Sequence, residues 1–403
     1  MTLLIRIVSL VALLAAALSF NRHAAAQQAG PLKVSSGVQY ELIARWDVAK
    51  LNQILTVDTP KFAGVSVVYT PAKNAVKLYR VTYSSVVPER GNKPIVATGL
   101  LAVPDTAETV FPMVSYQHGT VYGKLQVPSF PDQSEETQLM IAQFAGQGYL
   151  VTGADYFGMG QSKEPEGYLV KASHQQATYD MLLASRAVLA DLKLTDSKLF
   201  LSGWSQGGFV TLAMLEKLEA VGMPVKAATT ASAPADAFVA FNGFLSFPRK
   251  IDASWIPTIF ILTAFSFENY YGEPGLARSL LTDESYEISR KAYLREPFDP
   301  AGIPTDLRKL IRPEYFDPQF FADSAYGRIV AKTQSYRWIV KTPVRTYYGL
   351  TDEAIRTELG QLPMMYQKAL GNTLVEAAPT GDTSHRGTFA TAVPQWKAWF
   401  DGQ

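Results

Sequence analysis

The stretch LFLSGWSQGGFVTLAML, residues 199–215, decides the fold. Leu199, Phe200 and Leu201 form an apolar β-rich run, and Phe209 to Ala220 is apolar at helical spacing. Between them stands Gly203-Trp204-Ser205-Gln206-Gly207. The whole reads as a strand, a sharp turn and a helix, with Ser205 at the turn. The pentapeptide alone is weak, because glycine and serine frequencies produce Gly-x-Ser-x-Gly by accident in roughly one chain in seven of this length. Its setting carries the argument. Such a turn holds a serine in a strained backbone with its hydroxyl at the sheet edge, and the helix that follows aims its N-terminus at the site. Side chains at Gly203 and Gly207 would crowd the neighbouring strand and helix.

Working outward, β-rich runs alternate with helical patterns from residue 76 onward. Val76 to Val87 and Ile95 to Pro104 read as a strand pair. Phe111 to Tyr116, Tyr149 to Ala154, Lys198 to Ser202, Val225 to Ala231, Val344 to Tyr348 and Thr373 to Ala377 read as further strands. Helices are expected at Glu135 to Gly146, at Gln175 to Leu192 with Ser173 as N-cap, and at Ala354 to Leu370 with a bend or break at Pro363. A last helix is expected at Phe389 to Phe400, where Pro394 sits awkwardly. The alternation predicts a mostly parallel sheet covered by helices on both faces, with the site at the carboxyl ends of the strands. Residues 237–342 break the rhythm. They are rich in aromatics (Phe238, Phe241, Phe244, Phe247, Trp255, Tyr270, Tyr271, Phe320, Phe321) and read as a helical cap inserted over the strand ends. The core is then 76–236 with 343–403.

Ile7 to Phe20 is a largely apolar run after a short start with one basic residue, and Ala24-Ala25-Ala26 offers small residues for cleavage. Residues 1–26 therefore read as a signal peptide, which makes the protein secreted or periplasmic. Residues 27–75 are a lead-in to the core. The chain has no cysteine, so disulfides and thiolate metal sites are excluded. Its formal net charge of +1, without long runs of one sign, gives no nucleic-acid surface. No later segment is long and apolar enough for a stable membrane span.

A serine hydroxyl needs a base to act as a nucleophile. Four histidines exist, and His23 leaves with the signal. His385, between the last strand and the last helix, is the expected base in a Ser-Asp-His chain order. His118 is expected to order the loop that carries Gly119 and Thr120, and His174 to be a capping or surface residue. Asp352 follows a strand and is the expected acid, holding the imidazole tautomer. Asp236 is its main rival, with Glu353 and Asp382 behind. The oxyanion hole is expected from the backbone N–H of Gln206 and that of Thr120, with Gly119 as the alternative.

On five segments, SYQHGT (115–120), GADYFGMGQS (153–162), GWSQGG (203–208), YYGLTDEAI (347–355) and DTSHRG (382–387), the sequence resembles secreted α/β-hydrolases of the bacterial and fungal secretory-lipase type. Asp155-Tyr-x-Gly-x-Gly-x-Ser162 is the more selective of them. The resemblance spans roughly residues 75–400 outside the cap. It implies an α/β-hydrolase fold and a carboxylic-ester hydrolase working through an acyl-enzyme on Ser205, without cofactor or metal. The expected substrate is a small-molecule or lipid-like ester with apolar acyl or aromatic groups. Two other readings stand beside it. A serine aminopeptidase would need carboxylates under the cap, for which Glu268, Glu273, Asp283 and Glu284 are available. A catalytically inactive binding protein could also use this fold.

Overall fold

The computed structural model describes residues 32–403 apart from Ser36; the expected signal peptide, residues 1–26, lies outside them. Ten strands form one sheet: β1 (Leu32–Ser35), β2 (Val38–Trp46), β3 (Val76–Val87), β4 (Lys93–Pro104), β5 (Val110–Gln117), β6 (Leu150–Ala154), β7 (Thr195–Trp204), β8 (Ala227–Ala231), β9 (Val344–Tyr348) and β10 (Val375–Pro379). Their order is β1-β2-β3-β4-β6-β5-β7-β8-β9-β10. Pairing is antiparallel from β2 to β6 across β3 and β4, and parallel from β6 through β5, β7, β8 and β9 to β10. The sheet thus starts earlier than residue 76, since β2 belongs to the lead-in and pairs with β3 along its length.

Side chains alternate between two cores, as the pleat of a two-sided sheet requires. Met113, Leu199 and Leu201 face one core, which is completed by helices α2 (Lys171–Asp191) and α3 (Gln206–Ala220). Val114, Phe200 and Val151 face the other, completed by α1 (Glu135–Gln143) and α9 (His385–Asp401). Between β8 and β9 the chain is helical, with α4 (Ala237–Ser246), α5 (Ile256–Tyr271), α6 (Asp283–Leu294) and α7 (Ala325–Lys332) as its main pieces. This insert enters and leaves through one bridge. Ala237 N–H donates to the Thr333 carbonyl at 3.0 Å, and Ser335 N–H to the Ala235 carbonyl at 2.9 Å. Most of its aromatics build its own interior, as in the Phe241–Phe260 and Phe265–Tyr293 ring contacts at 4.7 and 5.2 Å.

Four expectations are corrected. Ser173 is not the N-cap of α2; it lies inside the helix, where its hydroxyl donates to Glu89 Oε2 at 2.6 Å. The last helix starts at His385 rather than Phe389, because the Ser384 hydroxyl caps it by accepting from Gly387 N–H. Pro394 fits inside that helix. The Ala390 carbonyl that its missing N–H would have served accepts instead from the Tyr69 hydroxyl at 2.8 Å. The helix α8 (Thr357–Ala369) begins three residues later than expected, since Ala354 and Ile355 give their N–H groups to Asp352 instead. No helix among the described residues is long and apolar enough to cross a membrane.

Candidate active site

Ser205 is the hinge between β7 and α3, with φ 56° and ψ −124°, a region that costs a non-glycine residue about 1–3 kcal/mol. The surroundings leave it no other course. A Cβ on Gly203 would lie 2.3 Å from the Gly207 carbonyl oxygen, and one on Gly207 would lie 1.9 Å from the Gln117 carbonyl oxygen. Strand and helix therefore pack backbone to backbone, and the residue between them turns outward.

The expected base and acid meet it. Ser205 Oγ is 2.9 Å from His385 Nε2. His385 Nδ1 is 3.0 Å from both carboxylate oxygens of Asp352. A proton on Nδ1 leaves the Nε2 lone pair facing the serine hydroxyl. Asp352 also accepts from Ala354 N–H and Ile355 N–H, each at 2.8 Å, and from the Ser232 hydroxyl at 2.6 Å. Burial opposes its ionisation, but adjacent His385 and these hydrogen bonds win and hold the carboxyl below the usual aspartate range. The helix begins at His385, whose N–H donates to Glu353 Oε2 at 2.8 Å. Trp204 Nε1–H donates to the His385 carbonyl at 3.1 Å, and the Trp204 ring stands 4.9 Å from the imidazole.

The rivals of Asp352 are occupied elsewhere. Asp236 caps α4 through Val239 N–H and pairs with Arg337 at 2.8 Å. Glu353 holds the His385 backbone, and Asp382 is exposed on the surface.

The loop after β5 is held almost completely. His118 is buried and stacks on Tyr156 at 4.0 Å. Its Nδ1 faces the Gly119 carbonyl at 2.8 Å and its Nε2 the Asp155 carbonyl at 3.2 Å. Burial drives its pKa down to about 4, so the ring is neutral near pH 7 and its one proton serves one of the two carbonyls. Gly119 N–H donates to Glu136 at 2.9 Å, which removes Gly119 as an oxyanion donor. Among the described residues, Thr120 N–H has no hydrogen-bond acceptor. Gln206 N–H, at the first position of α3, has no partner within the helix. Thr120, Tyr122, Trp204, Ser205, Trp255, Glu353, His385 and Arg386 line one pocket.

His174 is neither cap nor surface residue. It is buried, its Nε2 lies 3.4 Å from the Gln206 side-chain amide, and burial drives its pKa down to about 3. Of the insert's nine singled-out aromatics, Trp255 alone lines the serine pocket; its ring stands 5.8 Å from that of His385. Glu268, Glu273, Asp283 and Glu284 do not line it; Glu268 accepts from Ala277 N–H and Asp283 pairs with Arg312. Sequence reasoning missed Ser232, which carries φ 48° just past β8 and steadies Asp352, and Tyr168, whose hydroxyl meets Thr120 Oγ1 at 2.8 Å. The post-strand position of Ser232 was the available signal. Among the described residues, no group of three or more His, Cys, Asp or Glu is placed to hold a metal ion.

No protein-family model and no curated protein matches the sequence. Solved structures do. A provisionally assigned hydrolase of Legionella pneumophila superposes with a TM-score of 0.80 at 19% identity, covering 92% of this chain and 97% of the other. The rice cell wall degrading esterase LipA of Xanthomonas oryzae, in a ligand-bound form, gives 0.76 at 21% identity, covering 93% and 99%. Candida antarctica lipase A in its closed state gives 0.61 at 16% identity, covering 94% and 84%. Likeness at such low identity speaks to architecture, and it agrees with the strand order and the crossing helices described above: the chain has the α/β-hydrolase fold.

Proposed function

We propose that this chain is an exported serine hydrolase that cleaves carboxylic esters. The observation that carries the reading is the hydrogen-bonded line from Asp352 through His385 to Ser205, with links of 3.0 and 2.9 Å. Ser205 Oγ attacks the ester carbonyl while His385 Nε2 takes its proton. The negative charge that develops on the carbonyl oxygen is met by the N–H groups of Gln206 and Thr120, each worth about 3 kcal/mol to the transition state. His385 then returns the proton to the leaving alcohol, and the acyl group stays on Ser205. Water activated by the same nitrogen releases the acid. Asp352 holds the proton on Nδ1 throughout and stabilises the imidazolium.

The walls support an apolar ester as the substrate class. A cavity of about 530 Å³, walled by the insert and by Tyr122 of the core, shares Tyr122 and Trp255 with the serine pocket and is lined mainly by apolar groups such as Ile261, Leu262, Phe298 and Ile303. It suits an apolar acyl or aromatic group. Structural likeness to an esterase and a lipase supports the same chemistry. Export rests on the sequence of residues 1–26.

Hydrolysis of short-chain nitrophenyl esters by the wild type and by Ser205→Ala tests the proposal. Activity that disappears with the hydroxyl is expected. Equal activity in both proteins would dismiss Ser205 as the nucleophile, and an inert wild type would dismiss the ester reading.

A further inference from the structure

Glu136 is a buried carboxylate beside the site that acyl transfer does not use. It is the second residue of α1, only 5% exposed, and its two oxygens lie 2.9 and 3.0 Å from Gly119 N–H. Gly119 joins two peptide planes and has no side chain to limit their rotation. In the plane that follows it, the Gly119 carbonyl faces His118 Nδ1 at 2.8 Å, and the Thr120 N–H of that trans peptide points the opposite way. In the plane that precedes it, the His118 carbonyl accepts from the Tyr156 hydroxyl at 3.0 Å, and the N–H is held by Glu136. Thr120 Oγ1 is tied to the Tyr168 hydroxyl at 2.8 Å. Among the described residues, each polar group of residues 118–120 between these planes has a neighbour at hydrogen-bond distance, except the N–H proposed to serve the oxyanion.

We propose that Glu136 is a positioning residue: its carboxyl group clamps the first peptide plane of Gly119, so that the second presents Thr120 N–H to the developing oxyanion. This rests on the ester-hydrolase reading above. The requirement is for an acceptor on Gly119 N–H rather than for a charge. Burial pushes the Glu136 carboxyl up to about 8, which leaves it largely protonated at neutral pH and makes glutamine its nearest substitute.

The test is a series at this position, assayed at neutral pH with a nitrophenyl ester and with an aryl boronic acid as transition-state analogue. Glu136→Leu removes the acceptor. A misplaced oxyanion donor should lower kcat by about 10- to 100-fold with KM within about twofold. Boronate affinity should weaken in step with kcat/KM. Glu136→Gln should recover most of the loss. Glu136→Asp, which draws the carboxyl back by one methylene, should fall between them and carries the same test if the leucine variant does not fold. A folded Glu136→Leu or Glu136→Asp protein with unchanged kcat and boronate affinity would overturn the inference, as would a Gln variant as slow as the Leu variant. If wild-type activity does not depend on Ser205, the ester reading fails and takes this inference with it.

Discussion

Asp352→Asn keeps the outline of the side chain beside His385 but changes the proton it offers, and the neighbours dictate which way the amide turns. Oδ1 of Asp352 faces two backbone donors, Ala354 N–H and Ile355 N–H, both at 2.8 Å. An amide nitrogen there would meet two hydrogens, so the asparagine oxygen takes this place and the NH2 group takes that of Oδ2. There it faces the Ser232 oxygen, which can rotate to accept, and His385 Nδ1, and its second hydrogen finds a partner only when that ring nitrogen accepts; a proton kept on Nδ1 could reach only the amide oxygen, which already takes two backbone donors. This favours the imidazole proton on Nε2, which lies 2.9 Å from Ser205 Oγ, and in that tautomer the serine proton has nowhere to go. Loss of the productive tautomer in this way lowers kcat about 10⁴-fold, or about 5.5 kcal/mol of barrier. KM should hardly move, because Asp352 is outside the lining of the serine pocket. Hydrogen bonds are exchanged nearly one for one, so the denaturation midpoint should shift little. The assay is steady-state ester hydrolysis alongside urea unfolding of both proteins. A loss smaller than about tenfold in a normally folded variant would refute the tautomer argument.

Two further outcomes are expected. Gly207→Ala gains about 1 kcal/mol of helix propensity but places its methyl 1.9 Å from the Gln117 carbonyl oxygen, so a net loss of about 3 kcal/mol or more is expected from urea unfolding; an unchanged midpoint would contradict the close strand–helix contact. His118 and His174 are held near 4 and 3 in the folded chain, while an unfolded histidine titrates near 6.5. The unfolded state therefore binds more protons below that pH, and stability falls as pH drops from 6.5 toward the folded values. At pH 5 the loss is about 2 kcal/mol for each ring, and His174→Gln should show a shallower decline than the wild type when midpoints are compared between pH 7.5 and 5.

Where an element obeyed a local rule, its residues were enough to find it. β3 and β9 have the expected bounds because both are rich in β-branched and aromatic residues and are closed by Pro88 and Gly349, and Ser205 stood out because only glycines fit around it. Elements whose partners lie far along the chain were harder to see. β2 reads as a half-exposed strand of mixed polarity, and pairing with β3 is what defines it. Pro394 looked like a helix breaker until Tyr69, more than three hundred residues earlier, supplied the missing donor. His174 looked polar enough for the surface, and its burial depends on Tyr156 and Gln206 closing around it. Glu136 resembles any acidic residue in the first turn of a helix, and its inward course is decided by Gly119.

Local pattern alone determined the strand–helix alternation, the strained serine turn, and the chain order of Ser205, Asp352 and His385, because period, turn chemistry and residue type are properties of short segments. Their convergence belongs to the tertiary structure. The sheet order β7-β8-β9-β10 sets in one row the strand ends from which Ser205, Ser232, Asp352 and His385 extend. Only that order turns separations of 180 and 33 residues along the chain into hydrogen bonds of about 3 Å, and only packing decides which of several carboxylates and histidines face the pocket and which are consumed in holding it.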